Sequence, residues 1–457
     1  MNHATKCIAR ICLTGCIALA AMWSLFAGGS KESAIKNGPT EIIWWHSNSG
    51  LLGQATDTLV QEFNETVGAE RNIKVVPVFQ GKAADVLTKL RAVMQSKNPA
   101  DLPDIAQLDA TGIIDVRSYE RMIPMEVLMS EAGYDLSQLE PGAALSVTYK
   151  DTMIGMPFNS STILLYYNKD AFRQAGLDPD RPPKTIEQMA EYAKALIVRN
   201  AQGKIERYGF AGVPTSYELC AWIGQQHGVS YLTDMRNGHD GDPTKVVFDE
   251  DGTMEVFLTE WKKLWDSGGL ANLTSSVTQE FAAGKVAMIA ASTSNLTTLL
   301  ASIGDRFELG VAYLPMVVEG ADSGVNVGGG ALFAFDRGLQ GHKEAVEAFI
   351  EFAVSAEQQL AWHVGTGYFP VNLGTYELEE FKAHTERNPL FQVAIDQLHD
   401  SDPRVQGVWI PSGYQVYYAF QNGIRDMLEN NKSIPQTVQD LATEINKYIS
   451  DYNRMNR

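Results

Sequence analysis

Between residues 41 and 109 the chain alternates in a way that few folds accommodate. "EIIWWHS" (41–47), "IKVVPVF" (73–79) and "PDIAQLD" (103–109) are apolar runs of strand length. Between the first two, "LLGQATDTLVQEF" (51–63) sets Leu52, Ala55, Leu59, Val60 and Phe63 on one helical face. Between the second and third, "AADVLTKLRAVM" (83–94) does the same with Val86, Leu87, Leu90 and Met94. Strands separated by helices of this length need right-handed crossovers, and these build a parallel sheet with helices on its faces. Pro77 cannot donate to a ladder, which places its strand at an edge or a bulge. In such sheets ligands sit beyond the carboxyl ends of the strands. Those ends carry His46 and Ser47, Gln80 and Gly81, and Asp109.

A second unit begins near residue 147. "VTYKDTMIG" has the form of a hairpin, and "MPFNSSTILLYYNKDAF" (156–172) passes from small hydroxyl and amide side chains into a tyrosine-rich strand. Thr185 and Gln188 form a capping box after Pro182 and Pro183, and "SAEQ" (355–358) forms another. Further strands are expected at 207–213, 307–316 and 328–335. Phe257, Trp261, Leu264 and Trp265 share a helical face that belongs in a core. Beyond Lys343 the chain reads as mainly helical.

The fold class is therefore α/β, with two lobes on either side of a cleft, each a mostly parallel sheet flanked by helices. The expected boundaries are a signal peptide at 1–27, a linker at 28–40, lobe 1 at 41–146 and lobe 2 at 147–298. The chain returns to lobe 1 at 299–342, and the helical part, 343–457, belongs mainly to lobe 2. The stretch 156–172 falls where one unit gives way to the next, so its polar groups are expected to face the cleft.

Lys6 and Arg10 precede "ICLTGCIALAAMWSLFA", which ends in small residues at Ala27, Gly28 and Gly29. This is the layout of a secretory signal, and it implies a periplasmic or extracytoplasmic protein. "LTGC" also resembles a lipoprotein box with Cys16 as the acylated residue. Cleavage there would leave "IALAAMWSLF" exposed, which favours cleavage near Ala27; retention as an anchor is the third alternative. Cys7, Cys12 and Cys16 fall in this segment, so Cys220 stands alone after cleavage near Ala27. That rules out an intramolecular disulfide and a cysteine-based zinc site in the exported protein. The net charge of −18 argues against nucleic acid and anionic lipid as partners.

None of the eight histidines has the spacing of a zinc helix, and no Gly-x-Ser-x-Gly elbow is present. "GVNVGGGALFAF" is glycine-rich, but a strand follows it and no Gly-Lys-Ser/Thr is present. Its expected role is close backbone approach to a ligand or another strand. No metal and no cofactor is expected. Carboxylates are plentiful enough to leave a secreted hydrolase of glycosides or glycerophosphodiesters as the alternative to a binding protein.

Three segments, in order, resemble the extracytoplasmic solute-binding proteins of ABC importers, in the family that binds sugars. They are "FAAGKVAMIAAS" (281–292), "YLP" (313–315) and "AFIEFAVSAEQQLAWHVGTGYFPV" (348–371). Within the family, "WWHSNSG", "MPFNSSTILLYYNKDAFRQAGLDPDRPPKT" and "GTGYFPV" are most similar to sn-glycerol-3-phosphate-binding proteins. The resemblance implies two lobes joined by a hinge, in a monomer that captures a glycerol 3-phosphate, a glycerophosphodiester or a sugar and delivers it to a membrane permease, without catalysis. It places the family's ligand serines on Ser161 and Ser292, its glycine on Gly330, its tyrosine on Tyr368 and a cleft aromatic on Tyr217. The family's cleft glutamate falls near Asp109 or Ala110. Its phosphate-binding arginine falls on Gln415 or Tyr417, neither of which supplies the charge of an arginine fork. His46 is a further candidate, either as a ligand group or as a strand-end hydrogen-bonding group.

Overall fold

The computed structural model describes residues 38–214, 216–227 and 229–455; the expected signal, with Cys16 and Ala27, lies outside them. Among the described residues the strands, in chain order, are β1 (Thr40–His46), β2 (Ile73–Phe79), β3 (Ile105–Leu108), β4 (Met122–Ile123), β5 (Thr148–Tyr149), β6 (Thr152–Met153) and β7 (Met156–Ser161). They continue with β8 (Ile163–Asn168), β9 (Val198–Arg199), β10 (Ile205–Ala211), β11 (Leu270–Ala271), β12 (Val286–Ser292), β13 (Leu309–Tyr313) and β14 (Gly328–Phe335).

β1 buries alternate residues, Ile42, Trp44 and His46, as a strand covered on one face must. It pairs in parallel with β2 on one side and β3 on the other. β2 is the edge strand, which lets Pro77 sit in it without breaking a central ladder. The first sheet then continues antiparallel: β14 lies beside β3 and also pairs with β4 and β7. The second sheet runs β11-β10-β12-β8-β13. Only β10–β11 and β10–β12 are parallel there; β8 runs against both β12 and β13. The sheets are thus mixed rather than mostly parallel. The reason is topological. A strand that arrives from the other sheet, as β8 and β14 do, enters without a helical crossover and is free to run antiparallel.

The exchange points between sheets also differ from those expected. β7 belongs to the first sheet and β8 to the second, so the chain changes sheet at the single residue Thr162. Thr162 is fully buried; its carbonyl accepts from Thr293 N–H at 2.9 Å and its hydroxyl from Gln397 Nε2 at 3.4 Å. The return to the first sheet comes with β14, after β13 has joined the second. The helical part is shared between the lobes. His342–Ala353 and Ala356–Thr366 pack on the first sheet, with Phe349 and Trp362 in the cluster of Trp44. Gly413–Glu429 and Ile434–Met455 pack on the second. An amphipathic stripe specifies that a helix is covered, not which sheet covers it.

Each lobe is organised around large buried aromatics. Trp44 contacts Phe158 and Phe349 with ring centroids 5.8 and 5.5 Å apart. Trp222, Phe257 and Trp261 form the corresponding group in the second lobe. Fully burying such a side chain stabilises the fold by roughly 1.5–3 kcal/mol. Thr185 caps the helix Ile186–Ala195 by accepting from Gln188 N–H at 3.2 Å, and Ser355 caps Ala356–Thr366 in the same way. No described helix is long and apolar enough to cross a membrane.

Candidate functional site

A cavity of about 410 Å³ lies where the two sheets exchange strands, at the carboxyl ends of β1 and β3. Its first wall comes from the first sheet. β7 and β14 run beside each other with Ser161 opposite Gly328, Ser160 opposite Gly329 and Asn159 opposite Gly330. The pairing then skips Phe158, so that Ala331 faces Pro157. This bulge turns Phe158 into the core against Trp362, at 4.5 Å between ring centroids, and presents Asn159 and Ser161 to the cavity.

The glycines of β14 are required by this approach. Gly329 has φ +98°, and a Cβ there would lie 2.0 Å from the Asn159 carbonyl oxygen. A Cβ at Gly328 would sit 2.3 Å from the Tyr217 ring, and one at Gly330 would lie 2.6 Å from Asn159 Oδ1. The glycine-rich run therefore serves contact with another strand and with the polar groups around it.

Those polar groups form a chain of hydrogen bonds. Gln107 Nε2 donates to Asn159 Oδ1 at 2.8 Å, and Asn159 and Ser294 reach the hydroxyl of Tyr368. The Tyr368 carbonyl accepts from His363 Nδ1 at 2.7 Å, and its N–H donates to Thr366 Oγ1 at 3.3 Å. Tyr217 donates to the Ser161 carbonyl at 3.0 Å, with its hydroxyl 3.2 Å from Ser161 Oγ. Ser292 Oγ lies 2.9 Å from Ser294 Oγ and accepts from Ser294 N–H. Burial pushes the Tyr217 phenol well up and raises that of Tyr368, so both remain neutral hydrogen-bonding groups.

Asp109 closes the cavity from the first lobe. It caps the helix Ala110–Val116, accepting from Thr111 N–H at 3.0 Å and from the Thr111 hydroxyl. It also bonds Tyr414, from the second lobe, so this contact spans the cleft. Burial raises the Asp109 carboxyl and those hydrogen bonds partly offset the rise. Tyr414 is pushed up to about 12, first by burial and then by the Asp109 charge.

The second lobe contributes Tyr217, Ser292, Tyr414 and Tyr417 and, beside them, an apolar patch. Cys220, on the helix Ser216–His227, lines it together with Leu232, Val408, Ile410 and Val416. Among the described lining residues none is Lys or Arg, and Asp109 is the one carboxylic acid. Arg404, a cation close to the site in sequence, is paired with Asp402 at 2.6 Å and mostly exposed.

Of the nine sequence candidates, Ser161, Ser292, Gly330, Tyr368, Tyr217, Asp109 and Tyr417 line this cavity. Two do not. Gln415 is exposed and lines a surface groove with Lys432 and Tyr448. On the helix Gly413–Glu429, Tyr414 and Tyr417 are three residues apart and share a face, which turns Gln415 outward. His46 is buried beside Trp44 and Phe79, and its Nδ1 accepts from Asn48 N–H at 3.3 Å. Burial lowers its pKa, in keeping with a neutral ring that terminates a strand. Sequence reasoning missed Gln107, Asn326 and Tyr414. Gln107 had a signal: a lone amide within the apolar run "IAQLD".

A family model described as bacterial extracellular solute-binding protein matches residues 58–389. The sn-glycerol-3-phosphate-binding periplasmic protein UgpB of Escherichia coli (strain K12) is 30% identical over 419 residues, covering 89% of this chain and 91% of that protein. The protein of the same name from Salmonella typhimurium is 30% identical over 417 residues, with the same coverage. Among solved structures, UgpB from Mycobacterium tuberculosis in complex with glycerophosphocholine superposes with a TM-score of 0.74 at 22% identity, covering 91% of this chain and 99% of that one. The sugar-binding protein MalE from Xanthomonas citri gives 0.73 at 19% identity, with the same coverage. At these identities the structural likeness is one of fold, the two-lobed binding-protein architecture.

Proposed function

Because the chain belongs to the bacterial extracellular solute-binding protein family, whose members capture small polar solutes for ABC importers, we propose that its solute is a sugar or a glycerophosphodiester rather than glycerol 3-phosphate. The observation that carries this reading is the charge of the cavity wall. Among the described lining residues there is one carboxyl group, Asp109, and no cation. A buried phosphate dianion left without a cationic partner costs several kcal/mol. A diester carries one charge and a sugar none, and both present hydroxyls to the serines, amides and tyrosines that line the cavity.

We read the chain as a receptor, the role that the names of its family and relatives describe. A glycosidase mechanism needs two carboxyl groups across the scissile bond, and the described wall offers Asp109 alone. We read the protein as an exported monomer with ligand contacts at Ser161, Ser292, Gly330, Tyr368, Tyr217, Asp109 and Tyr417. Its amino terminus is read as a signal cut near Ala27. Native mass spectrometry of the gently purified, exported protein tests the reading. A one-to-one adduct with the mass of a sugar or phosphodiester, released unchanged on denaturation, supports it. A co-purifying phosphate monoester contradicts it. The intact mass also reports the cut.

A further inference from the structure

The chain passes between the sheets at Thr162, at 314–327 between β13 and β14, and again after the helix Gln392–Asp400. That helix packs on both lobes, with Ile395 and Leu398 in the core of the first and Phe391 and Ala394 against the second sheet. The last two passages run side by side. Asp402 N–H donates to the Ser323 carbonyl at 2.9 Å, Val325 N–H donates to Ser401 Oγ at 3.0 Å, and Val327 pairs with Gln406.

One side chain joins all three passages. Gln397 is buried; its Oε1 accepts from Leu314 N–H at 2.7 Å, and its Nε2 donates to the Ile163 carbonyl at 2.9 Å and to Thr162 Oγ1 at 3.4 Å. Its own carbonyl accepts from the Ser401 hydroxyl at 2.6 Å. Gln397 and Ser401 line a groove with Leu314 and Val325, while the solute cavity is lined by the continuation of the same passages, Asn326, Gly328 and Gly407.

We propose that Gln397 sets the resting angle between the lobes, and through it the affinity for the solute, which it does not touch. This rests on the reading of the chain as a receptor for a hydroxylated solute. Untied, each passage turns on its own few backbone dihedrals. Tied by one amide, the three turn together, and the free protein keeps its lobes within a narrow range of angles. Closure then costs less ordering, and binding is tighter for it. Gln397 is thus a positioning residue.

The test is Gln397→Met, which keeps the length of the side chain and removes its hydrogen bonds. Small-angle scattering is expected to give the solute-free variant a larger radius of gyration than the parent, with the two equal once saturated with the probe. Calorimetry with glycerophosphocholine and maltotriose is expected to show affinity weakened about fivefold or more for whichever the parent binds. Ser401→Ala frees Val325 N–H and leaves the Gln397 amide in place, so it should act in the same direction and less. It carries the test if Gln397→Met does not fold. A merely structural contact would lower the melting temperature and leave both readings, taken well below it, unchanged. An unchanged solute-free radius, or an unchanged affinity, overturns the proposal while the receptor reading stands. If the parent binds neither probe, the receptor reading for this solute class fails and the solute-free radius alone decides. A larger radius in the variants then keeps Gln397 as the tie, and an equal one removes it.

Discussion

The two walls of the cleft are built from different materials. The first is largely backbone and short polar side chains: β7 bulges at Phe158, β14 contributes three glycines, and Asn159, Ser161, Gln107 and Tyr368 are already bonded to neighbours. The second combines side chains of a hydrophobic core with Tyr217, Ser292, Tyr414 and Tyr417, all carried on helices and a strand of the second lobe. A wall made of backbone tolerates little change, because a Cβ added at Gly328, Gly329 or Gly330 meets another atom within 2.6 Å. A wall made of core side chains can change its shape with a methyl group and keep its fold.

The largest effect is expected on the first wall. Gly329→Val forces a branched side chain onto a left-handed backbone and into the Asn159 carbonyl, and should cost at least about 3 kcal/mol of stability along with solute binding. Calorimetric unfolding reads the first and titration the second. Val408→Ala on the second wall should leave the protein within about 1–2 kcal/mol of the parent. Equal losses at the two positions would erase the contrast.

Acid should come next. His363 supports Tyr368 through its Nδ1 and is held down to about 4 by burial, from an ordinary 6.5. Its folded-state pKa is the lower one, so between these values the unfolded chain binds more protons. The stabilisation is complete above about pH 6.5 and is lost as the pH falls towards 4, by up to about 3 kcal/mol at 1.36 kcal/mol per unit. His239, between the Thr148 and Gly407 carbonyls at 3.0 Å each, is also held down to about 4 and adds to the same loss. Denaturant midpoints measured from pH 7 to pH 4 check this. His363→Gln should flatten part of the slope; a slope identical to the parent's would remove His363 from the account.

Ser161→Ala should weaken solute binding by about 1–3 kcal/mol and barely move the melting temperature. Tyr217 keeps its bond to the Ser161 carbonyl, so no buried donor is orphaned in the free protein. A large fall in melting temperature with affinity intact would make Ser161 a structural serine. The smallest signal is geometric. Thr162 passes the chain between sheets, and closure about such crossings should lower the radius of gyration slightly on binding, as small-angle scattering can read.

The sequence reveals the polar groups of the cleft far better than its apolar patch. The alternation from β1 to β3, the capping residues and the polar stretch before β8 are local patterns, and each appears in the structure. Ser161, Asp109 and Gly330 stand out because a polar or glycine residue at a strand end breaks an apolar pattern. Cys220, Leu232, Ile410 and Val416 could not stand out. A core residue that also reaches a cavity has the same period as one that does not. The direction of β8 and the sheet to which β13 belongs were equally hidden, since both depend on partners more than 100 residues away in sequence. Gln415 was misplaced by a single position: the helical face carries Tyr414 and Tyr417 into the cavity instead.

The central claim is that the cavity, with its one carboxyl group and no cation among the described lining residues, takes a head of low charge. Isothermal titration of the purified, ligand-stripped protein with glycerol 3-phosphate, glycerophosphocholine and a malto-oligosaccharide panel tests it directly. The account predicts micromolar or tighter binding, about −8 kcal/mol or better, for a diester or a sugar, and at least tenfold weaker binding of the monoester. Micromolar binding of glycerol 3-phosphate with little response to the others would contradict it.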